Sequence, residues 1–198
     1  MSELNKQWTD AQEWEKSWWH NSGMIHDERY KSSRVWSLWG YGLKEMNFGT
    51  VVDLGCGPCG ILTSRNANDE RFSCEKGYAV DPIDYSAIAY PPLPNVEVVK
   101  STAEDFYPGR DVDATFIYNC LQHTIDPGLI LAKARSYSKE IYIFEWINIP
   151  PYQGHLHTIT SSMVENAFHG MTWKMHTVGW FQEGELNGQF VCGIYTRK

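Results

Sequence analysis

The sequence lacks long apolar runs and an excess of positive charge. Its 198 residues contain no stretch of about 18 consecutive apolar residues, the length that a membrane-spanning helix needs. Residues 1–6 also lack the charged-then-apolar pattern of a signal peptide. The 17 Lys and Arg are outnumbered by 24 Asp and Glu, which gives a formal net charge of −7. We therefore expect a soluble, cytoplasmic protein that binds no membrane and has no general attraction for nucleic acid.

The sequence also lacks a complete disulfide or metal-binding pattern. Its five cysteines are odd in number, which is typical of reduced thiols in a cytosol. Cys56 and Cys59 form a C-x-x-C pair, but no second pair or histidine partner lies at zinc spacing. We expect no bound metal, and a redox or zinc role for this pair is the disfavoured alternative.

Tryptophan is concentrated near the N-terminus. Six of the nine tryptophans lie before the first predicted strand. The spacing predicts a helix at residues 10–20, opened by a capping box between Thr9 and Gln12, and a second helix at residues 27–39. We interpret residues 1–45 as aromatic-rich helices that form a lid, and core packing must explain most of these tryptophans.

From residue 50 onward, short apolar runs alternate with helical stretches, as in a mostly parallel sheet with crossover helices. We predict strands at residues 50–54, 78–81, 96–100, 114–118 and 141–145. Helices are predicted at residues 58–65, 83–90, 127–138 and 161–168. Two β-rich runs, 173–181 and 189–196, follow and are joined by a hairpin turn at Asn187-Gly188. The expected organisation is a single domain, 1–198, with the lid at 1–45 and the α/β core at 50–198.

A glycine-rich turn follows the first predicted strand. Gly55, Gly57 and Gly60 allow a tight turn and a close approach of backbone to a ligand, and free N–H groups there can bind a negative group. The same glycines satisfy G-x-G-x-x-G, the dinucleotide fingerprint, so an NAD-dependent oxidoreductase is a rival hypothesis.

Asp53 discriminates between the two ligands. A pyrophosphate would bring negative charge next to this carboxylate and be repelled. S-adenosylmethionine instead carries an ammonium, a sulfonium and one carboxylate, so Asp53 can attract the ammonium directly or through water. The charges therefore favour S-adenosylmethionine over NAD.

Four segments resemble the motifs of class I S-adenosylmethionine-dependent methyltransferases of the small-molecule type. Val-Asp-Leu-Gly-Cys-Gly-Pro at residues 52–58 resembles the first motif, and Tyr-Ala-Val-Asp at 78–81 resembles the second strand. Lys-Ser-Thr-Ala-Glu-Asp-Phe at 100–106 is similar to the segment after the third strand, and Phe-Ile-Tyr-Asn-Cys-Leu-Gln-His at 116–123 to the fourth-strand motif.

The resemblance implies a Rossmann-like, mostly parallel seven-stranded sheet with helices on both faces and an antiparallel C-terminal strand. It also implies that Asp81 accepts hydrogen bonds from both ribose hydroxyls of the cofactor. Many members carry Asp where this chain has Thr102, so the contact to the adenine amine falls to Asp105 or to backbone. The implied cofactor-binding residues are Asp53, Gly55, Cys56, Gly57, Gly60, Asp81, Pro82, Ile83, Thr102, Ala103, Glu104 and Asn119.

The methyl acceptor is expected beside the end of the fourth strand. A hydroxyl acceptor must lose its proton, and His123 is the candidate general base, although it could instead only pack the loop. His155 and His157 lie on a loop that should overhang the acceptor, where they either bind it or are solvated. Glu145 contacts either the acceptor or only the loop. The residues assigned to the acceptor side are Trp18, Tyr30, Glu145, His155 and His157.

The sequence thus predicts methyl transfer from S-adenosylmethionine to an O or N atom of a small-molecule acceptor, with S-adenosylhomocysteine as product. A protein or RNA methyltransferase and a non-catalytic cofactor-binding protein are the alternatives. A homodimer is compatible with the sequence. Ile-Pro-Pro-Tyr at residues 149–152 is similar to a signature of base-amino methyltransferases. It follows the fifth strand instead of the fourth, which disfavours methylation of bases in duplex DNA.

Overall fold

Seven strands form a single sheet at the centre of the protein. They are β1 (Asn47–Leu54), β2 (Ser73–Asp81), β3 (Val96–Lys100), β4 (Val112–Tyr118), β5 (Ser138–Ile147), β6 (Thr172–Glu183) and β7 (Leu186–Thr196). Their order across the sheet is β3-β2-β1-β4-β5-β7-β6. This computed structural model describes residues 3–22, 37–39, 47–62, 73–88, 92–183 and 186–198.

The first five strands run parallel to one another, and the two pairings of the last strand are antiparallel. β1 pairs in parallel with β2 and β4, and β2–β3 and β4–β5 are parallel pairs. β7 runs antiparallel to both β5 and β6. Because the order reverses at β1, the loops after β1 and β4 diverge and leave a crevice at the carboxyl ends of these strands. The predicted Rossmann-like sheet is confirmed.

Two apolar layers cover the sheet, one on each face. For this reason β1 and β4 are buried along nearly their whole length, as is usual for parallel strands. On one face, Leu54, Ile117 and Ile143 pack in one cluster with buried residues of α2 (Pro127–Tyr137) and α3 (Ser161–Ala167). The opposite layer is aromatic, and its members include Trp39, Phe48, Phe116, Tyr142, Phe144 and Phe190.

The N-terminal helix α1 spans Glu3–Ser22 and is longer than predicted. The Thr9 hydroxyl donates a hydrogen bond to the Asn5 carbonyl inside the helix, so the predicted capping box at Thr9 is wrong. Residues 3–7, Glu-Leu-Asn-Lys-Gln, are mostly good helix formers and let the helix begin earlier. Of the predicted second helix, only the helical residues 37–39 lie within the described part.

Three other predicted elements are corrected. In place of a helix from residue 58, a short 3-10 helix spans Gly57–Cys59, and residues 63–65 lie outside the described part. Residues 83–88 form turns, since the Asp84 carboxylate accepts the Ser86 N–H and holds a local turn. Asn187 and Gly188 belong to β7, opposite Gln182 and Phe181, because the hairpin closes earlier in the chain than the Asn-Gly pair.

The aromatic layer yields a stability prediction. Phe116 is fully buried between Trp39, Phe48 and Tyr142, with ring centroids 4.7 to 6.1 Å apart. Phe116→Ala should lower the free energy of unfolding by about 3–5 kcal/mol, because it leaves a cavity in a packed core. Urea denaturation measures this change.

The matched control is Val98→Ala on β3, because Val98 is 62% exposed. It should change the free energy of unfolding by less than about 0.5 kcal/mol. Equal losses in the two variants would contradict the packing described here.

Candidate active site

The turn after β1 is held by glycines that no other residue replaces without strain. Gly55 has φ 64° and Gly57 has φ 52°, which is the left-handed region. A Cβ on Gly55 would collide with the Cβ of Cys120, at the start of the loop after β4. The N–H groups of Gly55 and Cys56 both donate to the Val80 carbonyl near the end of β2, at 2.9 and 3.1 Å. The turn is therefore tied to the ends of both neighbouring strands.

Asp53 lies beneath this turn and is only 1% exposed. Its Oδ2 accepts the Leu62 N–H at 3.1 Å, and burial raises the pKa of the Asp53 carboxyl to about 7. A Cβ on Gly60 would stand 2.5 Å from the same Oδ2. Asp53 and Gly60 thus support the turn from behind, and neither is among the residues that line the cleft above it.

Asp81 ends β2 at the rim of the same turn. Its Oδ2 accepts the Gly57 N–H at 3.0 Å and its Oδ1 accepts the Ile83 N–H at 2.9 Å. Burial raises the pKa of the Asp81 carboxyl to about 7, and the negative charge of Glu15 adds to this shift. Asp81 therefore presents a carboxyl group that changes its charge near neutral pH.

A cleft opens above these groups at the carboxyl ends of β1, β2 and β4. The space within it, about 820 Å³, includes its mouth, which is open to solvent. Helix α1 supplies the opposite wall through side chains spaced four, three and four residues apart along one helix face. These α1 residues are Trp8, Gln12, Glu15 and Trp19. The predicted N-terminal helix is thus present and lines the cleft, and the assignment of residues 1–45 as a lid stays a prediction.

Most of the sequence-predicted cofactor residues meet in this cleft. Those that line it are Gly55, Cys56, Gly57, Asp81, Pro82, Ile83, Thr102, Ala103, Glu104 and Asn119. The Thr102 hydroxyl accepts the Asp105 N–H at 3.1 Å, and Asp105 is exposed and outside the cleft lining. The adenine contact was expected from Asp105 or from backbone. Since Asp105 is not part of the cleft lining, backbone is the one of these two that lies in the cleft.

His123 lines the cleft at the end of a short 3-10 helix, Leu121–His123. Its Nδ1 donates to the Gly154 carbonyl at 3.1 Å, and the Glu15 Oε2 lies 3.6 Å from the same nitrogen. The Gln12 amide also donates to the His123 carbonyl at 3.2 Å. With Nδ1–H donated to a carbonyl, Nε2 carries the lone pair of the ring, and it accepts a hydrogen bond from the Gln122 side-chain amide at 3.4 Å.

Glu145 is a positioning group instead of an acceptor contact. The side chain is fully buried, and its Oε1 accepts the N–H groups of Cys120 and Leu121 at 2.9 and 3.1 Å. Burial raises the pKa of the Glu145 carboxyl to about 8. The expected alternative of a loop contact is therefore correct, because the carboxyl lies behind the loop that follows β4.

Three other residues assigned to the acceptor side, Trp18, His155 and His157, do not line the cleft. Trp18 stacks on Trp14 at 6.3 Å and lines a shallow groove elsewhere on α1, because adjacent helix positions point about 100° apart. His155 packs its ring against His123 at 4.6 Å, and His157 Nε2 donates to the Ile125 carbonyl at 3.1 Å. Tyr30 lies outside the described residues.

The sequence analysis missed several cleft residues, which are Trp8, Gln12, Glu15, Tyr85, Tyr118, Cys120 and Thr124. The stripe of Trp8, Gln12, Glu15 and Trp19 at helical spacing was a usable signal, since such residues share one face. Tyr85 and Thr124 carried no pattern, because both lie in turns whose path depends on the folded chain.

Within the described residues, no cluster of three or more His, Cys, Asp or Glu is arranged to hold a metal ion. All five cysteines are free, including Cys56 and Cys59. None of the described helices combines the length and hydropathy that crossing a membrane would require.

Comparisons with solved structures show the fold. No protein-family model and no curated protein matches the sequence. The 1,6-didemethyltoxoflavin-N1-methyltransferase of Burkholderia thailandensis, solved with S-adenosylhomocysteine, has a TM-score of 0.66 at 12% identity and covers 100% of this chain and 91% of its own.

Two further structures agree. The plantazolicin methyltransferase BpumL, also with S-adenosylhomocysteine, has a TM-score of 0.64 at 14% identity over 99% of this chain and 97% of its own. The N-methyltransferase NodS of Bradyrhizobium japonicum has a TM-score of 0.61 at 9% identity over 84% and 95%. The chain therefore has the fold of class I S-adenosylmethionine-dependent methyltransferases.

The burial of Glu145 yields a prediction. Glu145→Ala should lower the free energy of unfolding by about 2 kcal/mol or more, because two buried N–H groups lose their acceptor. Glu145→Gln keeps an acceptor oxygen at the same position and should stay close to the parent protein. Urea denaturation at pH 7 compares the three proteins, and a loss in Glu145→Gln as large as in Glu145→Ala would refute the positioning role.

Proposed function

We propose that the protein is an enzyme that transfers a methyl group from S-adenosylmethionine to an O or N atom of a small-molecule acceptor. The observation that carries this proposal is the cleft formed by the glycine turn, Asp81 and Asn119 at the carboxyl ends of β1, β2 and β4. This cleft lies at the topological switch point of a sheet whose fold is that of methyltransferases crystallised with S-adenosylhomocysteine.

The charges of the cleft suit this cofactor better than NAD. Among the described residues, the cleft lining contains the carboxylates Glu15, Asp81 and Glu104 and neither Lys nor Arg. A pyrophosphate would meet no cation there, whereas a sulfonium and an ammonium are attracted. When bound, the cofactor supplies an electrophilic methyl group, so the protein has to bind, orient and exclude water.

The residues of the cleft divide this work. Asp81 accepts the ribose hydroxyls, and Pro82 and Ile83 pack beside the adenine. The N–H groups of Gly55, Cys56 and Gly57 donate to Val80 and Asp81 inside the protein, so the glycine turn would serve by letting its backbone approach the cofactor closely. Asn119 would lie at the methionine end of the cofactor. Asn119 is held with φ 51°, and its Oδ1 accepts the Gln122 amide at 2.9 Å, so its orientation is constrained.

His123 takes the proton of the acceptor. Its Nδ1–H is directed to the Gly154 carbonyl, so Nε2 is the basic nitrogen, and the acceptor takes the place of the Gln122 amide that lies 3.4 Å from Nε2. The nearby Glu15 carboxylate stabilises the imidazolium that forms. Trp8 and Trp19 on α1 close the cleft against water. Transfer is favoured by positioning the acceptor in line with the methyl group.

A protein or RNA methyltransferase and a non-catalytic cofactor-binding protein share the cofactor cleft and differ in the acceptor. The acidic lining argues against RNA, because phosphates would be repelled. The free thiols support a reducing, cytoplasmic compartment, and a homodimer remains a prediction.

The central prediction concerns ligand choice. Titration calorimetry of the purified protein should give micromolar binding of S-adenosylmethionine and S-adenosylhomocysteine and no binding of NAD. Binding of NAD alone would refute the proposal.

In an acceptor screen with the cofactor present, His123→Ala should bind S-adenosylhomocysteine like the parent protein and transfer methyl groups more slowly. Full activity of His123→Ala would make this residue structural.

A second prediction follows from Asp81. Ribose hydroxyls donate to the ionised carboxyl, so binding requires Asp81 to lose its proton, and the pKa of this carboxyl in the free protein is about 7. Affinity should therefore rise about tenfold from pH 6 to pH 8, with proton release on binding at the lower pH. Methylthioadenosine is the suitable ligand, because it keeps the ribose and lacks the amino-acid part.

Asp81→Asn is the control for this pH dependence. This substitution should weaken the binding of methylthioadenosine by roughly 1–3 kcal/mol through loss of charge-assisted hydrogen bonds. Its affinity should also be flat across the same pH range. A parent protein with no pH dependence would exclude the ribose assignment of Asp81.

A further inference from the structure

Glu15 is the charged residue that α1 contributes to the cleft. The other α1 residues of the lining are Trp8, Gln12 and Trp19, so this wall combines two indole rings with one carboxylate. The wall faces the loop after β4, where His123 and Thr124 also line the cleft. This end of the cleft is the acceptor end in the proposed function, on which the present inference rests.

Contacts on both sides fix the position of the Glu15 carboxylate. Its Oε1 accepts the Trp19 indole N–H at 3.0 Å, and its Oε2 lies 3.6 Å from His123 Nδ1. A Cβ on Gly154 would stand 2.8 Å from the Trp14 ring and 3.1 Å from Glu15 Oε2. The side chain is 16% exposed, so its charge is only partly screened by solvent.

The charge of Glu15 acts across the cleft. It contributes to the raised pKa of the Asp81 carboxyl, after the larger effect of burial. It also contributes to the raised pKa of the Tyr85 hydroxyl, after burial and the charge of Asp81. Glu15 belongs to the lining of the cleft, so an anion bound beside its carboxylate would be repelled.

We propose that the acceptor carries a positively charged amine, which binds beside Glu15 while its apolar body packs on Trp8 and Trp19. The indole faces attract both flat apolar groups and cations. Among the described lining residues, no Lys or Arg is present to neutralise an acidic acceptor. Glu15 is the residue that determines this specificity, and the methylated atom is the amine nitrogen.

The chemistry of this step is balanced by His123. One N–H proton of the ammonium passes to His123 Nε2, which frees a lone pair on nitrogen. This lone pair forms the new N–C bond to the methyl carbon, while the C–S bond breaks and leaves its electron pair on sulfur. The products are a methylated ammonium and S-adenosylhomocysteine, and the imidazolium then loses its proton to water.

Glu15 could instead serve the ammonium of the cofactor or only pair with His123. Its place argues for the acceptor, because its two oxygens contact Trp19 and His123, whereas Asp81 and the glycine turn occupy the cofactor end. Each of these roles gives a different binding pattern when the charge of Glu15 is removed.

The test uses matched amines and carboxylates on protein saturated with S-adenosylhomocysteine. The two pairs are tryptamine with indole-3-propionate and phenethylamine with 3-phenylpropionate, in which charge changes and the ring does not. Calorimetry should show each amine binding at least about tenfold more tightly than its carboxylate partner. Glu15→Gln should reduce this preference by about tenfold and leave the affinity for S-adenosylhomocysteine within about twofold.

Glu13→Gln is the matched control, because Glu13 lies on the exposed face of the same helix and carries the same charge. It should keep the full preference for amines. Carboxylates that bind as well as amines, no measurable binding of either pair, or a preference unchanged in Glu15→Gln would overturn the inference. Loss of S-adenosylhomocysteine affinity in Glu15→Gln would assign Glu15 to the cofactor, and failure of the parent protein to bind S-adenosylhomocysteine would count against the proposed function itself.

Discussion

The close approach of the loops after β1 and β4 is the constraint on which the site depends. Gly55 has no Cβ, so Cys120 lies against its backbone and donates its thiol hydrogen to the Leu54 carbonyl at 3.2 Å. Behind this contact, Glu145 accepts the Cys120 N–H and holds the second loop in place. Because the two loops are locked together here, they diverge only above this point and form the floor of the cleft.

Helix α1 adds one wall of the cleft and contacts His123. Gln12 contacts the backbone of His123, Glu15 approaches its imidazole, and Gly154 lets the helix approach the loop after β5. The covering of the cleft and the orientation of His123 thus depend on the same contacts. In the proposed function, α1 therefore orients His123 at the same time as it covers the cleft and excludes water.

The central sheet was predictable because its signals are local. Buried strands such as Val112–Tyr118 are visible as short apolar runs, and the turn with Gly55 and Gly57 is visible from its glycine spacing. Helices with weak caps were less predictable, since Thr9 resembles an N-cap residue yet lies within α1. Turns were the least predictable segments, because side-chain contacts replace the expected helical hydrogen bonds, as where the Asp84 carboxylate accepts the Ser86 N–H.

The sequence by itself determined the glycine turn and the positions of Asp81 and Asn119, because these residues lie within motifs of fixed spacing. Only the tertiary structure decided the opposite end of the cleft, because Glu15 and His123 are far apart in the chain and meet through packing of α1 on the loops after β4 and β5. It also moved Trp18 out of the site and brought Trp19 in, since helix rotation separates adjacent residues. Spacing along the chain encodes local turns, whereas which helix face meets the sheet depends on the packing of the whole molecule.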